Sequence, residues 1–168
     1  MDHEQLRLGG DLLAAIRRGV DAAIERGGQF VAPPHLLLGA LEDERVGPAL
    51  EAVVSRERLL KAAEEAPKRL PAVVEIPEGS LPEGDHPPFV RYDTLAFHAG
   101  DGSRVLYLSG EAFRLFLEGA RRAGDAYHTR HLVMGFAAEA VKDRDLMQLF
   151  STDTAKVMSA MVALEAPL

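Results

Sequence analysis

The chain has 168 residues, of which 47% are hydrophobic and 27% are charged, as expected for one compact domain, residues 1–168, with a buried core. Its formal net charge of −7 disfavours binding to nucleic-acid phosphates, and the absence of cysteine excludes disulfide bonds and thiolate metal sites. The charge therefore predicts that the chain does not bind nucleic acid. It has no apolar run long enough for a membrane helix and no secretory signal, so we also expect a cytoplasmic protein that does not bind membrane.

The first predicted helix covers residues 12–26, because apolar residues recur there at spacings of three and four. The charged residues between them should face water. Gly27 and Gly28 follow and are expected to end the helix. The predicted apolar stripe consists of Leu13, Ile16, Val20 and Ile24.

Pro33 and Pro34 suit the first turn of a second helix, where a missing N–H removes no intrahelical hydrogen bond. This helix is apolar almost all round and should therefore be central and buried. Ser55 is expected to cap a fourth helix, which should end before Pro67. The third and fourth helices are predicted over residues 46–54 and 56–65.

Residues 66–108 form a linker in which six prolines exclude a long helix. Residues 89–97 and 103–108 have the composition of strands, and the glycines and aspartate of 99–102 favour a tight turn between them. We therefore predict a β-hairpin in the linker. Its aromatic residues, expected to pack on the helices, are Phe89, Tyr92, Phe97 and Tyr107.

Helical periodicity returns after the linker. Ser109 can cap a helix that has Glu111 in its first turn and ends at Gly124, and Thr129 can cap a second, apolar helix. A short third helix is predicted over 146–150. A last helix, capped by Ser151 or Thr152, should bury Val157, Met161 and Leu164.

The two helical stretches repeat one motif. The pattern His-Leu-x-x-Gly occurs at 35–39 and again at 131–135, a constant 96 positions later, and each copy follows a loop that contains an aromatic residue, Phe30 or Tyr127. A short helix and a capped helix follow in both. The chain is therefore predicted to contain two copies of a four-helix unit.

This pattern resembles the tandem repeat of the Clp N-domain, which stands at the front of the Clp unfoldases. There each repeat has an Ala-rich helix, then Gly-His-Ser/Asn-Tyr/Phe-Val-Gly, then Thr-Glu-His-Leu-Leu-Leu-Gly-Leu. Residues 27–40 follow this template position by position, and residues 124–136 follow it with one residue fewer in the loop. The resemblance implies a mainly α fold of two pseudo-symmetric four-helix repeats, 8–65 and 109–165, joined by the linker that carries the β-hairpin.

By the same resemblance, the chain is expected to be a non-enzymatic protein- or peptide-binding module, acting as an adaptor or regulator in protein quality control. Its partners would be protein or peptide substrates, a Clp unfoldase or an unfoldase adaptor. No phosphate-binding Gly-x-x-x-x-Gly-Lys-Ser/Thr motif occurs, and no cofactor, metal or catalytic residue is implied. The candidate binding residues lie in the loops before each second helix and are Phe30, Val31, Ala126 and Tyr127.

One family activity is not expected here. In some Clp N-domains the glutamate of each Thr-Glu-His helps to bind the guanidinium of phosphoarginine. The corresponding residues of this chain are Pro34 and Arg130, so neither repeat has a carboxylate at that position.

Three alternatives remain open from the sequence. His128 and His131 lie three apart and could ligate a metal, although His35 and His131 fit better as buried helix-start histidines that bond to the backbone. The chain could instead be a small-molecule sensor or enzyme with the hairpin as a lid, or a fragment of a longer Clp ATPase. The pocket of such an enzyme would be lined by His98, Asp101 and Arg91.

Overall fold

The computed structural model describes residues 7–28, 30–69, 96–98, 105–124 and 126–164. Within these ranges the chain is mainly α-helical, as predicted. The first four helices are α1 (Gly10–Glu25), α2 (Pro33–Leu41), α3 (Val46–Glu51) and α4 (Arg56–Arg69). The next four are α5 (Gly110–Arg122), α6 (Thr129–Ala140), α7 (Arg144–Met147) and α8 (Thr154–Ala163). The strands are β1 (Arg7–Leu8), β2 (Phe30–Val31), β3 (Ala96–His98), β4 (Val105–Leu108) and β5 (Ala126–Tyr127).

We call the elements β1 to α4 the first half and the elements β4 to α8 the second half. Helix α2 is the centre of the first half, and α6 is the centre of the second. Helix α2 packs against α1 and α4, and α6 packs against α5 and α8. Their apolar side chains include Leu36, Leu37, Leu132 and Val133, all with 0% exposure. The prediction of a central, buried second helix is confirmed in both halves.

The first two helices of each half approach closely at glycines. A Cβ atom at Gly39 of α2 would overlap the carbonyl oxygen of Ala15 in α1, and one at Gly135 of α6 would lie 2.6 Å from the amide nitrogen of Gly119 in α5. Gly39 also faces Gly19, the counterpart of Gly119. The chain from Gly119 to Gly135 is four residues shorter than that from Gly19 to Gly39. The repeats thus differ in length by more than the one loop residue counted from the sequence.

Each half supplies one strand to the other half. Strand β1, which precedes α1, pairs in parallel with β5, and strand β4, which precedes α5, pairs in parallel with β2. The exchange of strands between the halves is therefore reciprocal. The paired residues are Arg7 with Ala126, Leu8 with Tyr127, Phe30 with Tyr107, and Val31 with Leu108.

A second reciprocal contact joins the segments before α4 and α8. Val54 and Phe150, which are 96 positions apart, form an antiparallel bridge. Ser55 N–H donates to Leu149 O, and Ser151 N–H donates to Val53 O, both at 2.8 Å. The halves are therefore joined by main-chain hydrogen bonds at separate places in addition to their shared core.

Helix α4 continues past the residue that was expected to stop it. It runs to Arg69, with Pro67 inside its last turn. Because Pro67 has no N–H, the carbonyl oxygen of Ala63 lacks its usual helical donor. The ring Nε2 of His35 lies 3.1 Å from that oxygen and replaces the missing donor.

Two further expectations are corrected in detail. Leu13 is 42% exposed while Leu12 is fully buried, so the apolar stripe of α1 begins one residue earlier than predicted. Helix α8 is capped by Asp153, whose carboxylate accepts a hydrogen bond from the Lys156 amide at 3.0 Å, and not by Ser151 or Thr152. Asp153 lies closer to the helix, in position to bond the third helical amide.

Of the other caps, Ser55 and Ser109 are confirmed, since their hydroxyl oxygens accept hydrogen bonds from the Arg58 and Ala112 amides. Thr129 is the first residue of α6 and not its cap, which is His128.

In the linker, β3 pairs antiparallel with β4, in the register Ala96 to Tyr107. Residues 89–95 and the turn at 99–102 lie outside the described residues, so the closed hairpin stays a prediction. No helix in the described part of the chain is both long enough and apolar enough to span a bilayer.

Candidate functional site

The four candidate binding residues lie on β2 and β5, the strands that lead into α2 and α6. The strand register makes Phe30 the counterpart of Ala126, and Val31 the counterpart of Tyr127. The sequence comparison had placed the two aromatic residues in corresponding loops, but they do not occupy corresponding positions.

Tyr127 is fully buried. Its hydroxyl donates a hydrogen bond to Phe116 O at 2.7 Å, and the two rings lie 4.9 Å apart between centroids. Burial raises the pKa of the Tyr127 phenol far above its ordinary value. Val31 is also fully buried. These two side chains support the loops from inside, whereas Phe30 and Ala126 are only partly buried and have accessible surface.

His35 and His131 fix the starts of α2 and α6. The Nδ1 atom of His35 accepts a hydrogen bond from the Ala32 amide at 3.0 Å, and that of His131 accepts one from the His128 amide at 2.9 Å. Burial lowers the pKa of His35. Because its Nδ1 accepts a hydrogen bond, the ring proton lies on Nε2, which donates to Ala63 O. These contacts support the interpretation of both residues as helix-start histidines.

A cleft of about 660 Å³ lies beside the start of α6, and we call it the α6 cleft. At its edge, Asp11 of α1 accepts hydrogen bonds from His128 Nδ1 at 2.9 Å and from the Thr129 amide at 3.1 Å. Burial alone would raise the pKa of Asp11, but these hydrogen bonds outweigh it and hold the pKa below its ordinary value. The lining includes Asp11, Ala14, Arg18, Arg130, Leu164 and residues 42–46.

The acidic turn at 42–44 borders this cleft. The carboxylate of Asp43 accepts hydrogen bonds from the Arg45 and Val46 amides, at 2.9 and 3.0 Å, just before α3. Glu42 lies 3.5 Å from the guanidinium of Arg18. The cleft therefore presents side chains of both charges.

A smaller cleft of about 120 Å³ lies at the start of α2, in the corresponding place, and we call it the α2 cleft. Pro33 and Pro34 form one side, apolar side chains line much of the rest, and Glu111 and Asp145 add carboxylates. Burial and a hydrogen bond with Asp143 raise the pKa of Glu111.

Sequence reasoning missed the carboxylates at both clefts because they come from the opposite half of the chain. Asp11 approaches Arg130, and Glu111 approaches Pro34, from distant positions in the sequence. One signal could have revealed their equivalence: Leu-Arg-Leu-Gly-Gly-Asp at 6–11 matches Leu-Tyr-Leu-Ser-Gly-Glu at 106–111.

The remaining candidates concern a metal site and a pocket in the linker. Among the residues that the structure describes, no group of three His, Cys, Asp or Glu side chains is arranged to hold a metal ion. Arg91 and Asp101, the side chain of His98 and the side chains of the four linker aromatics fall outside the described part, so the pocket and the packing expected of them stay predictions.

No family model and no curated protein matches the chain. Among solved structures, it is similar to the N-terminal domain of the caseinolytic protease associated chaperone ClpD from Arabidopsis thaliana. The TM-score is 0.55, the sequence identity is 16%, and the likeness covers 99% of this chain and 98% of that chain. The chain has a Clp N-domain-like fold. The predicted fold class is thereby confirmed.

Proposed function

We propose that this chain is a protein- or peptide-binding module that acts without bond chemistry, as an adaptor or regulator in Clp-type protein quality control in the cytoplasm. The observation that carries the proposal is the likeness in fold to the N-terminal domain of a protease-associated chaperone over nearly the whole of both chains. A Clp unfoldase or its adaptor is the proposed partner besides the polypeptides themselves.

The proposed binding face is formed by the lead-in strands β2 and β5 and the clefts beside them. Phe30 and Ala126 supply accessible apolar surface there, and Val31 and Tyr127 hold the strands in place. The α6 cleft adds Arg130 and the carboxylates of residues 42–44. A surface with apolar, acidic and basic groups suits a polypeptide, which carries all three kinds of group.

The direct test is binding of an unfolded model protein, fluorescently labelled α-lactalbumin in its reduced and carboxymethylated form, followed by anisotropy. We expect saturable binding. Ala14→Arg, which places a long side chain in the α6 cleft, and Phe30→Ala should each weaken it, because truncating or blocking a central contact often costs at least ~1 kcal/mol of binding.

The matched control is Ala155→Arg, which adds the same side chain at an exposed position on α8. Circular dichroism must show that all variants are folded. If α-lactalbumin does not bind at all, the proposed function is wrong. If it binds equally to the wild type, Ala14→Arg and Phe30→Ala, the function stands but the face is elsewhere.

A further inference from the structure

The two exchanged strands differ in what covers them. Strand β4 has a neighbour on both edges, with β2 parallel on one side and β3 antiparallel on the other. Strand β1 precedes α1 as β4 precedes α5, and it has β5 on one side, but no described strand pairs with its other edge. The position that β3 fills in one half has no described occupant in the other.

The hydrogen-bond pattern shows which main-chain groups face that edge. In a parallel pair, alternate residues of a strand bond to the neighbour. Gly9 N–H donates to Tyr127 O at 2.8 Å, so Arg7 and Gly9 face β5, and the N–H and C=O of Leu8 point the opposite way. Leu8 is partly buried, and neither group has a hydrogen-bond partner within the described residues.

Leu108 has the same orientation on β4. Ser109 N–H donates to Val31 O at 3.0 Å, so the main-chain groups of Leu108 point to the side on which β3 lies. The same outward main-chain edge is therefore covered by an extended segment in one half. An extended segment of chain therefore fits the corresponding edge of β1.

We propose that the outer edge of β1 binds an extended polypeptide segment as an added antiparallel strand. The proposal rests on the polypeptide-binding function proposed above and assigns to it one edge and one binding mode. Pairing through the main chain recognises extended backbone with little demand on side chains, which suits the capture of many sequences. Strand β1 also leads directly into Asp11, which lines the α6 cleft.

The chain itself supplies the probe. A synthetic peptide with the sequence of residues 92–99 contains the segment that pairs with β4. In the register of β3, its residue corresponding to Ala96 would lie opposite Arg7, and the one corresponding to Leu95 would lie opposite Leu8. Titration into the ¹⁵N-labelled full chain should shift the amide signals of Leu8 and Gly9 and slow hydrogen exchange at Leu8.

Two N-methylated peptides form a matched pair that needs no protein variant. Methylation at the Leu95 position removes the donor that faces Leu8 and should weaken binding about three- to tenfold, the usual effect of one hydrogen bond. Methylation at the Ala96 position blocks a donor that faces away and should leave binding unchanged. Leu8→Pro should weaken peptide binding at least as much as methylation at the Leu95 position, while Leu8→Ala retains binding, because proline removes the outward N–H that alanine keeps.

Equal binding of the two methylated peptides would overturn the proposal. So would peptide-induced shifts confined to residues 105–108, which would mean that the peptide replaces β3 on β4. If α-lactalbumin binds and Ala14→Arg blocks it while the peptide leaves Leu8 unaffected, the general function holds and this edge is not used. If neither ligand binds, both proposals are wrong.

Discussion

The starts of α2 and α6 have the same main-chain arrangement but different polar contacts. At α6, Asp11 from the other half bonds the Thr129 amide and His128. At α2 the first two residues are prolines, which have no N–H to satisfy, and Glu111 hydrogen-bonds Asp143 instead. The starts of α2 and α6 thus differ in their electrostatics although both follow a short parallel strand.

The largest expected change in stability concerns the two aromatic side chains of the lead-in strands. Tyr127→Ala should lower the free energy of unfolding by about 3–5 kcal/mol, because it empties a fully buried site and removes the bond to Phe116 O. Phe30→Ala should cost clearly less, since Phe30 is only partly buried. Urea unfolding measures both. Equal losses would mean that the two aromatics are equivalent after all.

The next test concerns the helix crossings, where a substitution in either half should be destabilising. Gly39→Ala and Gly135→Ala each place a methyl group against main-chain atoms of the neighbouring helix, and overpacking of this kind costs roughly 1–3 kcal/mol. Gly39→Ala should be the more destabilising, because its Cβ has the closer approach. Gly124→Ala, at a glycine with open space around it, is the control and should change stability little.

The smallest expected effects on stability come from replacing Asp11 and Glu111, and these two effects should have opposite signs. At pH 7, Asp11→Asn should destabilise the protein by about 1 kcal/mol or less, because the lost contacts are partly exposed to solvent. Glu111→Gln should be neutral or slightly stabilising, because ionised Glu111 lies close to Asp143 in a partly buried site.

The stability of these two variants should also depend on pH in different ways, because the pKa shifts of Asp11 and Glu111 on folding have opposite directions. The pKa of Asp11 is lowered on folding, so the stabilisation that ionised Asp11 provides is lost as the pH falls below the ordinary pKa of 3.8. The free energy of unfolding of Asp11→Asn should then approach that of the wild type. The pKa of Glu111 is raised, so its penalty appears as the pH rises above 4.5, and any advantage of Glu111→Gln should vanish below that value. Urea unfolding across this acidic range gives both curves; parallel curves for the two variants would contradict the assignment.

The sequence was sufficient for the helices because their signals are local. Apolar periodicity, the serine caps at 55 and 109 and the repeated His-Leu-x-x-Gly are all read within a few positions. The errors at Pro67 and Thr129 have a common cause. In each case a distant residue, His35 or Asp11, satisfies a backbone group near the helix end, and local propensity does not include such a partner.

The candidate site was harder to predict for the same reason. Strands β1 and β5 are two residues long, too short for an alternating pattern, and their pairing joins positions more than 100 residues apart. Without that register, Phe30 and Tyr127 look like equivalent loop aromatics. The candidate residues lie in the segments that lead into α2 and α6, but which of them are accessible depends on contacts between the halves.

The reciprocal exchange of strands gives the single chain the internal organisation of a homodimer. A strand crosses from each half to the other, as in a strand-exchanged dimer, and Val54 of one half forms a bridge with Phe150 of the other. Here the linker holds the two subunit-like halves together, so that their association is intramolecular and independent of protein concentration. The contact between the halves therefore does not have to be strong enough to hold two separate molecules together. Its two junctions can therefore differ in sequence, as Asp11 and Glu111 do, without loss of assembly.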